Sequence, residues 1–329
     1  MSRTGFFTKE IVQNILKASY RLDCVSFSEN RLGVMGFTAT VKTKAQKFVL
    51  KLFKPSRKRE LVFFDVSVMD YLSSNGLPTP RIISGVNDKR IFKFGKQYGV
   101  LLEHVSGKHK SKKSVTKTEL KSLAETIAKM HLLLKKFEPN GKKEHQDLFY
   151  LDYAAKFQKQ NFPTLKKLFL TKTQKRLFKR ICGKNLDNTI HFCKQELEHL
   201  KKQMPKTYES NKKGIIHHDI NFDNLLFRDN QLVALLDFDE STKGFWLSDL
   251  AIITGELTKE QKKYFLKKYS EKIPLSKEEI KLIPILRRHY KLLNLMWTLL
   301  EFAKYLRNEA SLEKVNDYIN FCHRFLIQS

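Results

Sequence analysis

The stretch Gly214-Ile-Ile-His-His-Asp-Ile-Asn-Phe-Asp-Asn-Leu-Leu-Phe227, followed by Leu235-Leu-Asp-Phe-Asp-Glu240, decides the fold of this chain. Polar side chains in both segments follow short apolar runs, a pattern typical of groups held at the ends of β-strands. Asp219 and Asn224 stand five residues apart, and Asp237 follows the next apolar run. Their oxygens are ligands that Mg²⁺ prefers, and phosphoryl transfer depends mainly on positioning and charge neutralisation. The alternative is an ordinary polar turn, since Asp and Asn are common turn formers.

The spacing of these groups reproduces the D-x-x-x-x-N motif of a kinase catalytic loop. In that motif the Asp faces the attacking hydroxyl and takes its proton, and the Asn binds a metal ion. Asp219 is therefore the predicted catalytic residue, and Asn224 is a predicted metal ligand. Asp237 comes at the end of the next predicted strand, where the metal-binding Asp of the D-F-G motif belongs. It is the second predicted metal ligand.

Two upstream features would complete a nucleotide site. Lys51 lies on the β-rich run Phe48–Leu52, like the Lys of the V-A-I-K motif that contacts the α- and β-phosphates. Glu60, at the start of the following helix, is its predicted ion-pair partner. Gly33 and Gly36 are predicted to bring the backbone close to the phosphates. The pattern G-x-G-x-x-G is absent, and an ordinary hairpin explains this glycine turn as well.

The order of the predicted elements indicates the fold class. The runs Phe37–Val41 and Lys47–Phe53 predict a hairpin, and apolar spacings of three, four and seven over residues 57–74 predict an amphipathic helix. From residue 118 helical patterns dominate, apart from the β segment at 214–238. We therefore expect an α+β fold with a small antiparallel β-sheet N-lobe, which carries one helix, and a larger, mainly helical C-lobe.

The boundary between the lobes is predicted near residue 105. Residues 1–105 would form the nucleotide-binding lobe, and residues 106–329 would form the helical lobe with the catalytic loop and the acceptor site. The run Val100–Gly107 ends the β-rich part, where a kinase hinge offers backbone groups to adenine. Glu103 and Val105 are the residues predicted to do so here.

The composition is strongly basic, with 62 Lys and Arg against 34 Asp and Glu and a net charge of +28. Such a surface attracts polyanions, so nucleic acid, anionic lipid and nucleoside triphosphate are candidate partners. The lysines are scattered along the whole length without an aromatic-interleaved stripe, which favours solvated helix faces over nucleic-acid binding as the main function. The sequence gives no indication of the oligomeric state.

The cysteines and the apolar runs bear on the compartment. The 4 cysteines are widely spaced and form no C-x-x-C pair, which argues against a zinc site or a disulfide framework and fits a reducing cytosol. The first ten residues lack an apolar segment, and no run approaches the roughly 20 apolar residues that a spanning helix needs. A cytoplasmic protein without a membrane span is expected.

From about residue 25 to residue 306 the chain resembles the aminoglycoside phosphotransferase and choline kinase superfamily, which shares the bilobal protein-kinase-like fold. The resemblance rests on His217-His218-Asp219, Asn224 and Asp237. It implies ATP and Mg²⁺ as cofactors and a small molecule with a hydroxyl as the acceptor. Trp246-Leu-Ser-Asp-Leu-Ala251 resembles the family's D-L-A segment, whose Asp supports the catalytic loop; the alternative for this Asp249 is a helix N-cap.

Two departures separate the chain from protein kinases. The segment Asp237-Phe-Asp239 lacks the Gly of D-F-G, and no A-P-E occurs downstream. Without these features of a peptide platform, a small-molecule acceptor is favoured. A cationic substrate needs carboxylates, and Asp223, Asp239 and Glu240 lie close to the metal site in the sequence. Asp223, Asp239 and Asp249 are the candidate residues on the acceptor side.

Short strings point to the homoserine kinase branch of the superfamily. These are Arg59–Leu72 followed by Gly76-Leu-Pro-Thr-Pro80, the loop Asp219–Asn224, and Leu282–Leu286. Homoserine is therefore the predicted acceptor, with Arg287 or Arg288 as a cation for its carboxylate. Aminoglycosides, choline or ethanolamine, and methylthioribose are the alternatives. A kinase-like protein without activity that binds RNA or another polyanion is the alternative of a different class.

Overall fold

The computed structural model describes residues 7–29, 36–143, 151–168, 176, 179, 186–205, 210 and 212–307. The chain forms two compact units. The first, which we call the sheet unit, comprises Thr4–Glu144 and Lys212–Leu275, and the second, the helical unit, comprises His145–Asn211 and Ser276–Ser329. Gly33 lies outside the described residues, so its predicted phosphate contact stays a prediction. The predicted boundary between residues 105 and 106 also stays a prediction.

The sheet unit begins with helix α1 (Lys9–Tyr20) and a five-stranded antiparallel sheet. Its strands are β1 (Ser26–Glu29), β2 (Gly36–Lys42), β3 (Lys47–Phe53), β4 (Phe92–Phe94) and β5 (Gln97–Glu103), in the spatial order β1-β2-β3-β5-β4. Alternate residues of β2 are buried, as the period of a half-buried strand requires. They pack with the apolar face of α1 into one core.

Helix α2 (Arg59–Ser74) follows the sheet hairpin, as the spacing over residues 57–74 predicts. It buries mainly apolar side chains, but one of the buried residues is the carboxylate Asp65. The chain leaves α2 through Asn75 and Gly76, whose φ of 67° suits glycine. Helix α3 (Lys117–Leu134) then starts with a capping box in which Thr116 and Glu119 satisfy each other's backbone N–H.

The rest of the sheet unit is a small β module followed by two helices. The described strands are β6 (Lys213–Ile216), β7 (Leu225–Arg228), β8 (Gln231–Leu235) and β9 (Thr242–Phe245). Strand β6 pairs with β9 and β7 pairs with β8, both antiparallel. Short 3₁₀ turns at Phe222–Asn224 and Phe238–Glu240 lie next to these strands. The polar residues singled out in the sequence therefore lie at strand ends, as predicted.

The two helices that close the sheet unit pack on this module and on α3, respectively. Helices are numbered in chain order, and α4 (Leu151–Leu168) and α5 (Leu186–Gln203) belong to the helical unit. The two helices that close the sheet unit are α6 (Trp246–Gly255) and α7 (Lys259–Ser270). Helix α7 packs along α3 and begins with a capping box from Thr258 to Gln261. Every residue of α6 from Trp246 to Thr254 is buried, which explains its almost continuous apolar sequence.

The helical unit consists, in its described part, of α4, α5 and α8 (Lys277–Arg307), which contact one another. Helix α8 begins at the predicted capping box, where the Ser276 N–H donates to Glu279 Oε2 at 2.8 Å and the Glu279 N–H donates to Ser276 Oγ at 3.1 Å. Apolar side chains such as Phe162, Leu197 and Met296 form its core. Among the helices that the structure describes, none is long and apolar enough to cross a membrane.

Candidate active site

The loop from His217 to Asn224 connects β6 to β7 and carries the predicted catalytic residue. Asp219 Oδ1 accepts a hydrogen bond from Asn221 Nδ2, and its Oδ2 accepts one from Asn224 Nδ2, both at 2.9 Å. The Asn224 amide also donates to the main-chain carbonyl of Asp219 at 2.9 Å. The structure therefore brings Asp219 and Asn224 together, and it fixes the orientation of the carboxylate.

Asp249 supports this loop by accepting hydrogen bonds from its main chain. Its Oδ1 accepts the His218 N–H at 2.7 Å, and its Oδ2 accepts the His217 N–H at 3.0 Å. The same Oδ2 lies 3.1 Å from His131 Nε2, and His131 Nδ1 lies 2.8 Å from the Tyr269 hydroxyl. Burial alone would raise the pKa of Asp249, but the contacts with His131 and His217 outweigh it, and the pKa is lowered.

The geometry favours the loop-supporting role of Asp249, and its place on the acceptor side stays a prediction. The residue is fully buried and both of its oxygens are committed to the loop and to His131. It lies within α6 and does not cap it; the N-cap is Phe245. Asp249 also explains how His218 keeps the left-handed conformation, with φ of 65°, because its N–H is bonded to a buried carboxylate.

His217 connects the catalytic loop to the strand that precedes Asp237. Its Nε2 lies 2.9 Å from the Leu236 carbonyl, and its Nδ1 accepts the Asp219 N–H at 3.2 Å. Because one ring nitrogen donates and the other accepts, the ring is the neutral tautomer with the proton on Nε2. Burial lowers the pKa of His217 below its ordinary value, which agrees with this pattern.

Lys51 reaches from β3 to the two carboxylates that follow β8. Its ammonium lies 3.0 Å from Asp237 Oδ1 and 2.7 Å from Asp239 Oδ1. Burial alone would lower the pKa of Lys51, but these two carboxylates outweigh it and raise the pKa. Burial would likewise raise the pKa of Asp237, yet Lys51 holds it at about 2. Both groups are therefore ionised at neutral pH.

Asp237 and Asp239 differ in exposure and in conformation. The Asp237 side chain is 43% exposed, whereas that of Asp239 is 5% exposed. Asp237 has φ of 59°, in the left-handed region. Burial, together with the charge of Asp237, raises the pKa of Asp239. Its carboxylate is buried against Lys51, and its contact with an acceptor stays a prediction.

The donor set near the loop fits a magnesium ion. The Leu236 N–H donates to the Asn224 carbonyl at 2.9 Å, so Asp237 follows directly on a residue bonded to Asn224. Asn224 and Asp237 thus supply two hard oxygen donors, and Mg²⁺ usually takes its other ligands from phosphates and water. Among the described residues no group of three or more His, Cys, Asp or Glu side chains could hold a metal ion by itself.

Glu60 does not pair with Lys51, so this prediction is wrong. Glu60 is exposed at the start of α2, and the ion pairs of Lys51 go to Asp237 and Asp239 instead. The buried carboxylate of α2 is Asp65, which is 1% exposed and forms ion pairs with Arg57 and Lys143. A sequence motif cannot distinguish these arrangements, because the partner of Lys51 is 188 residues away.

The remaining predicted site residues lie in different parts of the sheet unit. Gly36 opens β2, and a Cβ at this position would lie 2.2 Å from the Leu52 carbonyl oxygen. The Glu103 N–H donates to the Arg81 carbonyl at 2.9 Å, and the Glu103 carboxylate bonds the Arg81 guanidinium. Val105 is half-buried beyond β5, and Asp223 is exposed on the catalytic loop. Contacts of Gly36, Glu103 and Val105 with a nucleotide, and of Asp223 with an acceptor, stay predictions.

Sequence reasoning missed the buried charges Arg57, Asp65 and Lys143, and the pair His131–Tyr269. Asp65 had a signal, since it lies four residues after Leu61 and three before Val68, on the apolar face that the spacing over residues 57–74 predicts. An isolated carboxylate on such a face requires a buried cation. Arg57 and Lys143 gave no signal of their own, because basic residues are so frequent in this chain.

Comparisons with known proteins identify the family of this chain and similar solved structures. The family model for the phosphotransferase enzyme family matches residues 36–289. The homoserine kinase of Nitrobacter hamburgensis is 23% identical over 298 residues, which is 88% of this chain and 83% of that protein. The structure of a spectinomycin phosphotransferase in complex with ADP and spectinomycin matches with a TM-score of 0.69 and 15% identity, over 97% of each chain. A microcompartment-associated aminopropanol kinase matches with a TM-score of 0.66 and 14% identity, over 97% and 95%.

The solved structures share the protein-kinase-like α+β fold of this chain, as the sequence predicted, and the family match makes the chain a small-molecule kinase. The chain belongs to the phosphotransferase enzyme family. It is therefore an enzyme that transfers phosphate to a hydroxyl group.

Proposed function

We propose that the chain transfers the γ-phosphate of ATP to the hydroxyl of a small molecule, with homoserine as the first candidate. The observation that carries the proposal is the joint placement of Asp219 and Asn224 on one loop and of Lys51 beside Asp237. These are the groups needed to position a hydroxyl and to neutralise phosphate charge.

Each residue has a defined part in the proposed reaction. Asp219, fixed by two side-chain amides, orients the acceptor hydroxyl and takes its proton. Asn224 and Asp237 would hold Mg²⁺, which supplies charge neutralisation on the phosphates when bound. Lys51 contacts the phosphates, and Asp249 keeps the loop in place through the N–H groups of His217 and His218.

Homoserine is supported by the similarity to homoserine kinases over 88% of the chain. It carries a carboxylate, which a kinase for it must recognise with a cation. Of the two arginines predicted for that part, Arg288 donates to both oxygens of Glu196 at 2.9 and 2.8 Å. Arg287 and Arg288 both stay predictions for that contact.

An amino alcohol is the second candidate acceptor. The similarity to an aminopropanol kinase over 97% of the chain supports it. An amino alcohol has an ammonium group and no carboxylate, so its recognition requires a carboxylate near the hydroxyl. Asp223, which is exposed on the catalytic loop, is the predicted residue for such a contact.

The test is an ATP-consumption screen with Mg²⁺ across homoserine, aminopropanol, choline, ethanolamine, methylthioribose and aminoglycosides. The proposal expects phosphate transfer to one of these classes, with homoserine giving the highest kcat/KM. Transfer to an amino alcohol with no activity on homoserine would replace the first candidate by the second. Absence of turnover with all of them, together with salt-sensitive binding of RNA, would favour the inactive polyanion-binding alternative.

A further inference from the structure

A buried cluster of charges surrounds the main chain of Asp239. We call it the Asp65 cluster; it comprises Arg57, Asp65, Lys143 and the Asp239 carbonyl. Asp65 forms ion pairs with Arg57 and, at 3.3 Å, with Lys143. Arg57 Nη2 donates to the Asp239 carbonyl at 2.8 Å, and the Lys143 ammonium donates to the same oxygen. The side chains of all three charged residues are 10% exposed or less.

The charges of the cluster depend on one another. Two cations converge on a single carbonyl oxygen, an arrangement that like-charge repulsion disfavours in a buried environment. Asp65 forms ion pairs with both cations and offsets that repulsion, and the charges of Asp239 and Glu240 also act on Arg57. Removing one partner of such a buried ion pair leaves an uncompensated charge.

The cluster acts on the residue that contacts Lys51. With its carbonyl held by Arg57 and Lys143, Asp239 is fixed in the 3₁₀ turn Phe238–Glu240. Its carboxylate then lies 2.7 Å from the Lys51 ammonium. Helix α2 is therefore connected to Lys51 indirectly. Its Asp65 pairs with the two cations that hold the Asp239 main chain, and the Asp239 carboxylate contacts Lys51.

We propose that Asp239 orients Lys51 toward the nucleotide, and that Asp65 is a positioning residue that holds Asp239 in place through Arg57 and Lys143. The inference rests on the proposed function, in which Lys51 meets the phosphates of ATP. It also assigns different parts to the two carboxylates on Lys51. The more exposed Asp237 is available to a metal ion, while the buried Asp239 keeps the Lys51 ammonium in position.

The first arm of the test needs no nucleotide. A double-mutant cycle combines Lys51→Met with Asp239→Asn in the full-length chain, and a second cycle combines Lys51→Met with Glu60→Gln. Denaturant unfolding should show a coupling of roughly tenfold in the unfolding equilibrium constant for Lys51 with Asp239, and a coupling near one for Lys51 with Glu60. Equal coupling in the two cycles would overturn the inference, whatever the enzyme's activity.

The second arm measures steady-state kinetics with the acceptor found in the screen. Asp239→Asn and Asp65→Asn should each raise the KM for ATP about tenfold or more and leave the KM for the acceptor within about twofold. Asp239→Glu should recover part of the loss. Asp70→Asn, a carboxylate of the same helix whose ion pair with Arg90 is 3.6 Å long, is the matched control and should leave both constants unchanged.

The outcomes separate the inference from the function on which it rests. If Asp65→Asn does not fold, Arg57→Lys tests the same step, since the shorter Lys side chain keeps the charge but weakens the contact with the Asp239 carbonyl. If Asp65→Asn and Asp239→Asn have the same KM for ATP as the wild type and Asp70→Asn, the inference is overturned. The kinase function would remain intact in that case. A chain that shows the Lys51–Asp239 coupling but neither binds nor consumes ATP would contradict the proposed function, and the nucleotide part of the inference with it.

Discussion

Both carboxylate oxygens of Asp219 accept hydrogen bonds from side-chain amides, Oδ1 from Asn221 and Oδ2 from Asn224. The loop that carries these residues is bonded in turn to Asp249 beneath it. A reacting group that is fixed in this way needs little reorganisation when it orients a hydroxyl. At the scale of single residues, the account therefore depends on rigid support as much as on the identity of Asp219.

The substitution Asp249→Asn tests that support. An amide in place of the carboxylate would point an NH₂ group at one of the loop N–H donors, which leaves a buried donor without an acceptor. We expect a loss of roughly 1–3 kcal/mol in the free energy of unfolding and a lower kcat with a nearly unchanged KM for ATP. Denaturant unfolding and steady-state kinetics measure the two effects. Wild-type kcat in this variant would contradict the supporting role.

Protonation of His217 should weaken the fold at low pH. Its pKa is lowered by burial from the ordinary value of 6.5, so the unfolded chain takes up a proton at this residue where the folded chain does not. Its contribution to stability is therefore present above pH 6.5 and is lost as the pH falls. Between about pH 6.5 and pH 5 the wild type should lose stability more steeply than His217→Gln, by at most about 1.4 kcal/mol per pH unit.

The measurement is the unfolding free energy of both proteins across this pH range. Gln is a suitable replacement because its amide can still donate to the Leu236 carbonyl. The other histidines titrate in both proteins, so the difference between the two curves isolates His217. Parallel curves would contradict the buried neutral state of this ring.

Sequence reasoning identified the residues whose relation is local and missed those whose relation is not. Asp219 and Asn224 are five residues apart on one loop, so their meeting follows from the motif. The partner of Lys51 is on a segment 188 residues away, and the motif suggested Glu60 where the fold uses Asp239. Asp65 could have been recognised as a buried charge, but only the folded chain shows which cations it meets.

At the scale of elements, the helices and strands follow the sequence closely. The spacing over residues 57–74 becomes α2, and the hairpin prediction becomes β2 and β3 paired from Gly36–Phe53 to Lys42–Lys47. These elements have strong periodic patterns, which local sequence encodes directly. The division of the chain into the sheet unit and the helical unit was not foreseen, because it joins segments that are far apart in sequence.

Gly36 separates two explanations of the glycine turn before β2. A Cβ on this residue would lie 2.2 Å from the Leu52 carbonyl oxygen of the neighbouring strand. We expect Gly36→Ala to lower the free energy of unfolding of the nucleotide-free protein by roughly 1–3 kcal/mol, since the strands must move apart. Denaturant unfolding measures this, with Lys44→Ala in the exposed β2–β3 turn as the control. Unchanged stability with a higher KM for ATP would assign Gly36 to the phosphates instead.

At the scale of the whole molecule, the net charge of +28 is the feature that the proposed chemistry does not require. Scattered lysines on solvated faces give a general attraction to polyanions that salt screens. We expect RNA to bind only at low ionic strength and to be released near about 0.15 M salt. A mobility-shift titration against salt measures this. A complex that persists at that salt concentration would support a binding function for the surface.

The central claim is that the Asp219 carboxylate takes the proton of the acceptor hydroxyl. It is based on membership of the phosphotransferase enzyme family and on the geometry around Asp219. The most direct measurement is Mg²⁺-dependent phosphate transfer from ATP by the wild type and by Asp219→Asn. Asp229→Asn, an exposed carboxylate in the β7–β8 turn, is the matched control. The account predicts a fall in kcat of roughly 10²–10⁴-fold for Asp219→Asn, with unfolding behaviour and control activity like the wild type. Retained turnover in a folded Asp219→Asn enzyme would contradict it.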